Sequence, residues 1–218
     1  MAATAEPRRR LKPEQRRELI VAAAAEEFGR NGHRAARMED IARAAGVTKA
    51  VLYDHFPDKG ALHAEVVTRA NDDLIAAVVK ATLEHDDPRE RFRAALRTSF
   101  EIIAVRPDVR TLLLGEPGAA DKVTAASLRA QRKARRAMAA LYLVEPRFLA
   151  GRPDREERAE HIALATIGLI NALAAIGVEK KLSPAYLADL AMEILDPGMA
   201  TMAGMPVVSA SSSSASSA

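Results

Sequence analysis

The stretch at residues 37–62, RMEDIARAAGVTKAVLYDHFPDKGAL, constrains the fold of this chain more than any other. It begins with a short apolar stripe of helical spacing that stops at Gly46, a residue that can adopt a positive φ and end a helix. Thr48 is suited to cap a second helix, whose buried side carries Leu52 and Phe56. Two short helices joined by a glycine turn are typical of a helix-turn-helix that reads DNA with its second helix.

The same stretch resembles the signature of the tetracycline-repressor (TetR) family of bacterial transcription regulators. The resemblance covers roughly residues 14–62, which is under a quarter of the chain. The positions in register are Ile41-Ala42, Ala45-Gly46-Val47, Leu52-Tyr53, His55-Phe56, Lys59 and Leu62. It implies an all-α protein of about nine helices, with an N-terminal three-helix DNA-binding domain and a C-terminal helical domain for ligand binding and dimerisation.

The helical periodicity and the resemblance together predict four parts. Residues 1–12 form a flexible basic arm, and residues 13–60 form the helix-turn-helix domain, whose first helix is expected to end near Gly32. Residues 61–197 form the ligand-binding and dimerisation domain, and its last helix is expected to stop before residue 197. Residues 198–218, which are rich in Ser and Ala, form a tail that we expect to be disordered.

Charge and composition favour a cytoplasmic DNA-binding protein. Residues 1–60 hold 12 Lys and Arg against 9 Asp and Glu, whereas residues 61–218 are balanced, so the net charge of +3 lies with the helix-turn-helix. The chain has no cysteine, which excludes disulfides, thiolate metal ligands and a cysteine nucleophile. The apolar run at residues 161–176 is predicted to be too short, and too interrupted by Asn171, to span a membrane.

The resemblance places a set of side chains against DNA. Lys49 can pair with a phosphate or donate to a guanine edge, and Tyr53 can contact a phosphate or a thymine methyl, unless it is a half-buried core residue. Arg37 stands where relatives have Ser or Thr, so its side chain cannot cap the helix by accepting a bond; either water or a neighbour caps it, or that helix start is weaker by about 1 kcal/mol. The predicted DNA-binding residues are Arg37, Thr48, Lys49, Tyr53, His55 and Lys59.

The basic arm is a further candidate for DNA contact. Arg8, Arg9 and Arg10 can lie along phosphates or enter a minor groove, or they can simply keep a tail solvated. His63 and His85 are isolated in the sequence, and we expect each to be solvated or hydrogen-bonded rather than a ligand.

The second domain is expected to hold a small, largely apolar effector between its middle helices. Apolar stripes of this kind are more often core than cavity wall, so simple core packing is the alternative. Asn171 is the polar side chain predicted to face the effector, although a hydrogen bond within a dimer interface is the alternative. The predicted ligand-binding residues are Phe92, Leu96, Phe100, Leu113, Met138 and Asn171. No metal site or cofactor is predicted.

These observations predict a homodimeric, ligand-responsive DNA-binding regulator rather than an enzyme. The sequence contains no GxxxxGK[ST], GxGxxG, GxSxG or HExxH motif. We expect a repressor that is released from a palindromic operator in double-stranded DNA by its effector. The alternative is a helix-turn-helix protein that acts as an activator or without a small-molecule effector. Two copies would pair through the last helices, including residues 161–176 and 185–195.

Overall fold

A computed structural model describes residues 12–106 and 125–202, and every element in these ranges is an α-helix. Residues 1–11 of the predicted basic arm and most of the Ser/Ala-rich tail lie outside the described residues. The eight described helices are α1 (Pro13–Ala35), α2 (Met38–Ala44), α3 (Lys49–His55), α4 (Lys59–Thr82), α5 (Pro88–Val105), α6 (Ala125–Leu143), α7 (Arg155–Lys180) and α8 (Pro184–Met202). The all-α fold class is confirmed.

The first regular helix ends at Gly32, where its end was predicted. Gly32 has φ +69°, a conformation that breaks the helix, and the bounds of α1 include a further short turn after this kink, up to Ala35. Glycine tolerates this left-handed φ because it has no Cβ. The kink turns the last residues of α1 towards the start of α4.

The helix-turn-helix forms as predicted. α2 ends before Gly46, whose φ of +66° makes the turn, and the hydroxyl of Thr48 accepts a hydrogen bond of 3.3 Å from the Val51 N–H at the start of α3. Leu52 and Phe56 are buried on the inner side of α3. The glycine turn and the threonine cap thus set the angle at which α3 leaves the core.

The core of the reading head, by which we mean α1–α3 with the first half of α4, extends past the predicted domain boundary at residue 60. Leu62, Val66, Val67 and Ala70 of α4 are buried in the same apolar cluster as α1–α3, and Ala130 of α6 joins it. Residue 60 therefore falls within a continuous helix, and no break in packing separates the head from the second half of α4.

The second half of α4 and helices α5–α8 form the body. α4 packs against α5 and α6, α5 against α8, and α6 against α7. A second apolar cluster, which includes Phe92, Leu96, Phe100 and Met192, fills the space between α5, α6, α7 and α8. A buried hydrogen bond between the Tyr142 and Thr166 hydroxyls joins α6 to α7. α4 thus belongs to the head core through its first half and packs against α5 and α6 of the body.

The last helix continues beyond its predicted end. α8 includes Pro197 and runs to Met202, whose carbonyl accepts a hydrogen bond of 3.1 Å from the Leu149 N–H. The hydroxyl of Thr201 bonds to the Pro197 carbonyl at 2.8 Å, and so the helix persists although proline cannot donate to the preceding turn. The prediction of a linker after residue 196 is wrong because this last turn docks on the loop before α7.

α7 spans 26 residues, which makes it long and apolar enough, by length and composition, to cross a membrane. The prediction that it is too short to do so is therefore wrong. In the fold it packs on α6 and α8 and buries Ala163, Thr166, Ile170 and Leu173 in the second core. In the described chain 33% of its most apolar 18-residue window is buried.

Candidate nucleic-acid interface and effector cavity

The outer face of α3 presents polar side chains to solvent. Thr48, Lys49 and Tyr53 are exposed, and Tyr53 keeps 41% of its accessible surface. The inner face is closed by Leu52 and Phe56. Tyr53 is therefore an outward-facing aromatic rather than a half-buried core residue, and a helix with one buried and one polar face can enter a DNA groove without losing its packing.

Two cations of the head hold α3 in place. Arg17 of α1 donates to the His55 carbonyl at the end of α3 (3.4 Å), lies 4.3 Å from the Phe56 ring centroid, and pairs with Glu65 at 3.2 Å. The Lys59 ammonium donates to the carbonyls of Arg34 and Ala36, both at 3.1 Å. These bonds connect α1, α3 and α4, so the reading helix is carried as a rigid part of the head.

Lys59 thus has a structural role that the sequence did not reveal. An ammonium has three donors, and two of them are used by carbonyls at the end of α1. One donor is left for a phosphate, so Lys59 stays a predicted DNA contact with a fixed position rather than a mobile one.

Lys49 is paired with Glu39 of α2. The hydrogen bond from Lys49, followed by a hydrogen bond from the Glu39 backbone and then by the charge of Lys49, lowers the pKa of the Glu39 carboxyl. The same hydrogen bond between the side chains raises the pKa of the Lys49 ammonium. Both groups are exposed, so the pair is open to solvent and phosphate. When the protein is bound to DNA, a phosphate would compete with Glu39 for the Lys49 ammonium. Sequence reasoning did not identify Glu39 as part of this surface.

Arg37 and His55 flank the reading helix. Arg37 is the N-cap residue of α2, and its side chain makes no capping bond, as predicted for an arginine. Arg37 is exposed, and His55, the last residue of α3, is half-buried. Their contact with DNA remains a prediction, as does that of Thr48, Lys49, Tyr53 and Lys59.

The body contains a cavity of about 320 Å³ between α4, α5, α6 and α7. Its described lining is aliphatic or contributed by Met and Gly, apart from four neutral polar side chains: Asn71, Ser99, Gln131 and Asn171. Among the residues that the structure describes, none with a charged side chain lines it. The volume lies at the lower end of the roughly 300–1,000 Å³ range of small-molecule sites.

The predicted ligand-binding residues divide into three groups. Met138 and Asn171 line the cavity. Phe92 and Leu96 are buried in the second core and are not among the described lining residues, while Phe100 borders a separate cavity of about 260 Å³ between α5, α7 and α8. Leu113 lies outside the described residues. Periodicity alone identified these aromatic residues as inward-facing and could not separate core from cavity wall.

The family model for bacterial regulatory proteins of the tetR family matches residues 20–66, which cover α2, α3 and their supporting turns of α1 and α4. The DNA-binding segment of this chain therefore matches that of TetR-family regulators. The matched segment contains every predicted DNA-binding residue, so the family match and the exposed face of α3 concern the same part of the molecule.

Known proteins resemble this chain over part of its sequence and in its fold. The transcriptional activator FasR of Mycolicibacterium smegmatis is 42% identical over 94 residues, 43% of each chain, so the match spans less than half of that relative. A TetR-like regulator from Rhodococcus sp. RHA1 superposes with a TM-score of 0.68 at 23% identity, covering 88% of this chain and 99% of that one. FadR from Bacillus subtilis, solved with stearoyl-CoA, superposes with a TM-score of 0.68 at 16% identity over 82% and 96%.

Removing the threonine cap should destabilise this head. We expect Thr48→Ala to lower the free energy of unfolding by about 1 kcal/mol, because the Val51 N–H loses its partner at the start of α3. Urea denaturation followed by circular dichroism measures the change. Thr68→Ala is the matched control: its hydroxyl bonds to the Ala64 carbonyl within α4, where alanine is the better helix former. Equal destabilisation by both substitutions would contradict the capping role.

Proposed function

We propose that the protein is a homodimeric transcription regulator that binds a near-palindromic operator, and that its affinity for this operator falls when an apolar effector occupies the body cavity. The observation that carries the proposal is the course of α4. Its first half is packed in the core of the reading head, through Leu62 and Val66, and its second half forms a wall of the cavity, through Leu74 and Val78. One continuous helix therefore contacts both the core of the reading head and the effector cavity.

On the DNA, each head would place α3 in a major groove, with Lys49 and Tyr53 directed at the double helix. Two-fold symmetry of a dimer has to be matched by two half-sites in successive grooves. Most of the affinity would come from neutralised phosphates and would therefore fall steeply with salt.

The effector acts by binding the two states of α4 unequally. A ligand shifts a conformational equilibrium only by its difference in affinity for the two conformations. A ligand that favours a tilted α4 would move the heads of the dimer to a spacing that the operator does not match. The apolar lining favours an apolar effector, and the same fold accommodates stearoyl-CoA in FadR from Bacillus subtilis.

We propose repression as the direction of regulation, with activation as the second candidate. Activation is favoured by the 42% identity to FasR, which is named an activator. That identity covers only 43% of this chain, and the sign of regulation depends on where the operator lies relative to the promoter. Footprinting on the upstream DNA, together with transcription in vitro with and without the protein, separates the two directions.

Alanine in place of Lys49 should weaken binding to the operator about ten-fold and flatten its salt dependence. Each phosphate contact contributes roughly 0.9 to the slope of log affinity against log salt concentration, so a dimer that loses two contacts should lose about 2 from the slope. Mobility shift of the protein's own upstream DNA at several salt concentrations, with sizing of the complex, measures both quantities.

Lys180→Ala is the matched control for this measurement. Lys180 is an exposed lysine paired with a glutamate, Glu179, at 2.9 Å, but it lies at the end of α7 in the body rather than in the head. We expect its salt slope to equal that of the wild type. If Lys49→Ala changes affinity for some sequences and leaves the slope intact, Lys49 reads a base edge instead of a phosphate.

A further inference from the structure

One polar side chain of the cavity is buried without a partner. Asn71 keeps only 1% of its accessible surface, and its Nδ2 atom has no hydrogen-bond partner. Asn71 lines the cavity from α4. Buried amide donors are normally bonded, and leaving one unmade costs stability. A ligand atom that accepts a hydrogen bond from this unpartnered donor at the cavity wall would remove that cost.

The other polar groups of the cavity do not share this property. The Ser99 hydroxyl already donates to the Ala95 carbonyl at 2.8 Å, Asn171 is half-buried, and Gln131 is exposed. Of the side-chain atoms that are buried without a partner in the described chain, only the amide of Asn71 belongs to the cavity lining.

We propose that Asn71 is the polar anchor of the effector, and that the effector is an uncharged, mainly aliphatic molecule with a hydrogen-bond acceptor such as a ketone, ester or amide carbonyl. The Nδ2–H of Asn71 donates to that carbonyl, while the aliphatic walls cover the rest of the ligand. A free carboxylate suits this lining poorly, because no described lining residue carries a compensating positive charge.

Asn71 lies on α4 next to the core of the reading head, so a ligand bonded to Asn71 contacts the helix that carries the head. Asn71 follows Ala70, the last α4 residue in the head core, and precedes Asp72, which pairs with Lys133 of α6 at 2.6 Å. A bond to Asn71 therefore acts on α4 where it leaves the head. This inference rests on the proposed function for its regulatory consequence, but ligand binding itself can be measured without DNA.

Three probes with the same heptyl chain and a planar end group separate the contribution of the hydrogen bond from those of the aliphatic chain and of charge. 2-Nonanone carries the carbonyl acceptor, 2-methyl-1-nonene replaces the carbonyl oxygen with a methylene group, and octanoate replaces the methyl group with a charged oxygen. Titration calorimetry on the full chain, in one buffer with the same cosolvent, gives the dissociation constant of each probe. We expect the wild type to bind the ketone about ten-fold more tightly than the alkene and octanoate most weakly.

The anchor is tested by Asn71→Leu, which keeps the branched shape and the number of heavy atoms of the side chain, adds some volume, and removes the amide. We expect its affinities for ketone and alkene to agree within about two-fold, through a loss of ketone affinity. Asn171→Leu is the matched control, since it removes an amide from the same cavity, and it should keep the ten-fold preference. If Asn71→Leu fails to fold by circular dichroism, Asn71→Ala makes the same comparison without added bulk.

Several results would overturn the proposal. A preference for the ketone that survives in both Asn71 variants, or one that disappears in Asn171→Leu instead, excludes Asn71 as the anchor. Tightest binding of octanoate excludes the uncharged class, and failure of all three probes to bind the wild type excludes the cavity as their site. Loss of DNA binding or of effector release, with the probe preference intact, would count against the proposed function and leave the anchor standing.

Discussion

Replacing Ala172 with arginine should convert the protein to a monomer and lower its affinity for the operator at least about 100-fold. Ala172 lies on an exposed apolar stripe of α7 that we call the open face: Leu164, Ala165, Gly168, Ala172, Ala175 and Ile176. These residues recur at helical spacing on a helix whose opposite side is in the second core. Leu164 and Gly168 of this face also line the effector cavity. A face of small and aliphatic residues permits close approach of a second helix, and a charged side chain there would be desolvated without a partner.

The large effect on DNA binding follows from the loss of linkage between two heads. When the heads are joined, binding of the second half-site becomes intramolecular, and that effective concentration contributes roughly 10²–10⁴ in affinity. A monomer keeps its reading helix and its salt dependence per head, but it loses this factor.

Sedimentation velocity and mobility shift on the same samples measure the two consequences. Ala76→Arg is the control, because Ala76 is an exposed alanine of α4 outside the open face, and it should remain dimeric with unchanged operator affinity. An Ala172→Arg protein that sediments as a dimer would move the interface away from α7. The position matters: Leu169, a residue of the same apolar run, is half-buried against the second core, so arginine there would disturb folding as well as association.

The sequence carried enough information to predict the reading head almost residue by residue. Gly46, Thr48, Leu52 and Phe56 each have a local role, either a turn, a cap or an inward apolar position, and local roles leave a periodic signal. Glu39 escaped notice because its pairing with Lys49 joins two helices, and the angle between helices is set by packing rather than by spacing along the chain.

The body was predictable in class and less so in detail. Inward-facing residues such as Phe92 and Leu96 were identified, but the same periodicity describes a filled core and a cavity wall. Asn71 gave no signal, because a single asparagine among aliphatic residues on α4 looks like a polar face until its burial is known. The helix end at Met202 depended on docking against Leu149, a contact 53 positions away in the chain.

The contact between two histidines of the head was not visible in the sequence and depends on the fold. It predicts a loss of stability in acid. His63 of α4 lies with its ring centroid 4.5 Å from that of His33 and meets Phe28 edge-on at 5.0 Å. Burial, with smaller contributions from the charges of His33 and Lys59, lowers the pKa of His63 from the usual 6.5 to about 4. His63 was predicted to be an isolated histidine; the kink at Gly32 brings His33 beside it.

The sign of the pH dependence is set by the state that binds the proton. In the unfolded chain His63 takes up a proton below about pH 6.5, whereas in the folded head it stays neutral until about pH 4. The unfolded state therefore binds more protons in this window, and the free energy of unfolding decreases as the pH falls from 6.5 to 4. The full difference in pKa corresponds to about 3.4 kcal/mol, and partial exposure of the ring reduces the expected loss to about 2 kcal/mol.

Substitution of His63 by leucine isolates this contribution from the carboxylates that also titrate in acid. Urea denaturation at pH 7, 5.5 and 4.5 should show a shallower loss of stability for His63→Leu than for the wild type, with the curves diverging progressively below pH 6.5. His85→Leu removes an exposed histidine from the turn after α4 and should follow the wild-type curve. Parallel curves for His63→Leu and the wild type would mean that the ring is protonated in the folded head. The two histidines would then have to separate on protonation, because two adjacent positive rings at 4.5 Å repel each other, and the end of α1 would move with them.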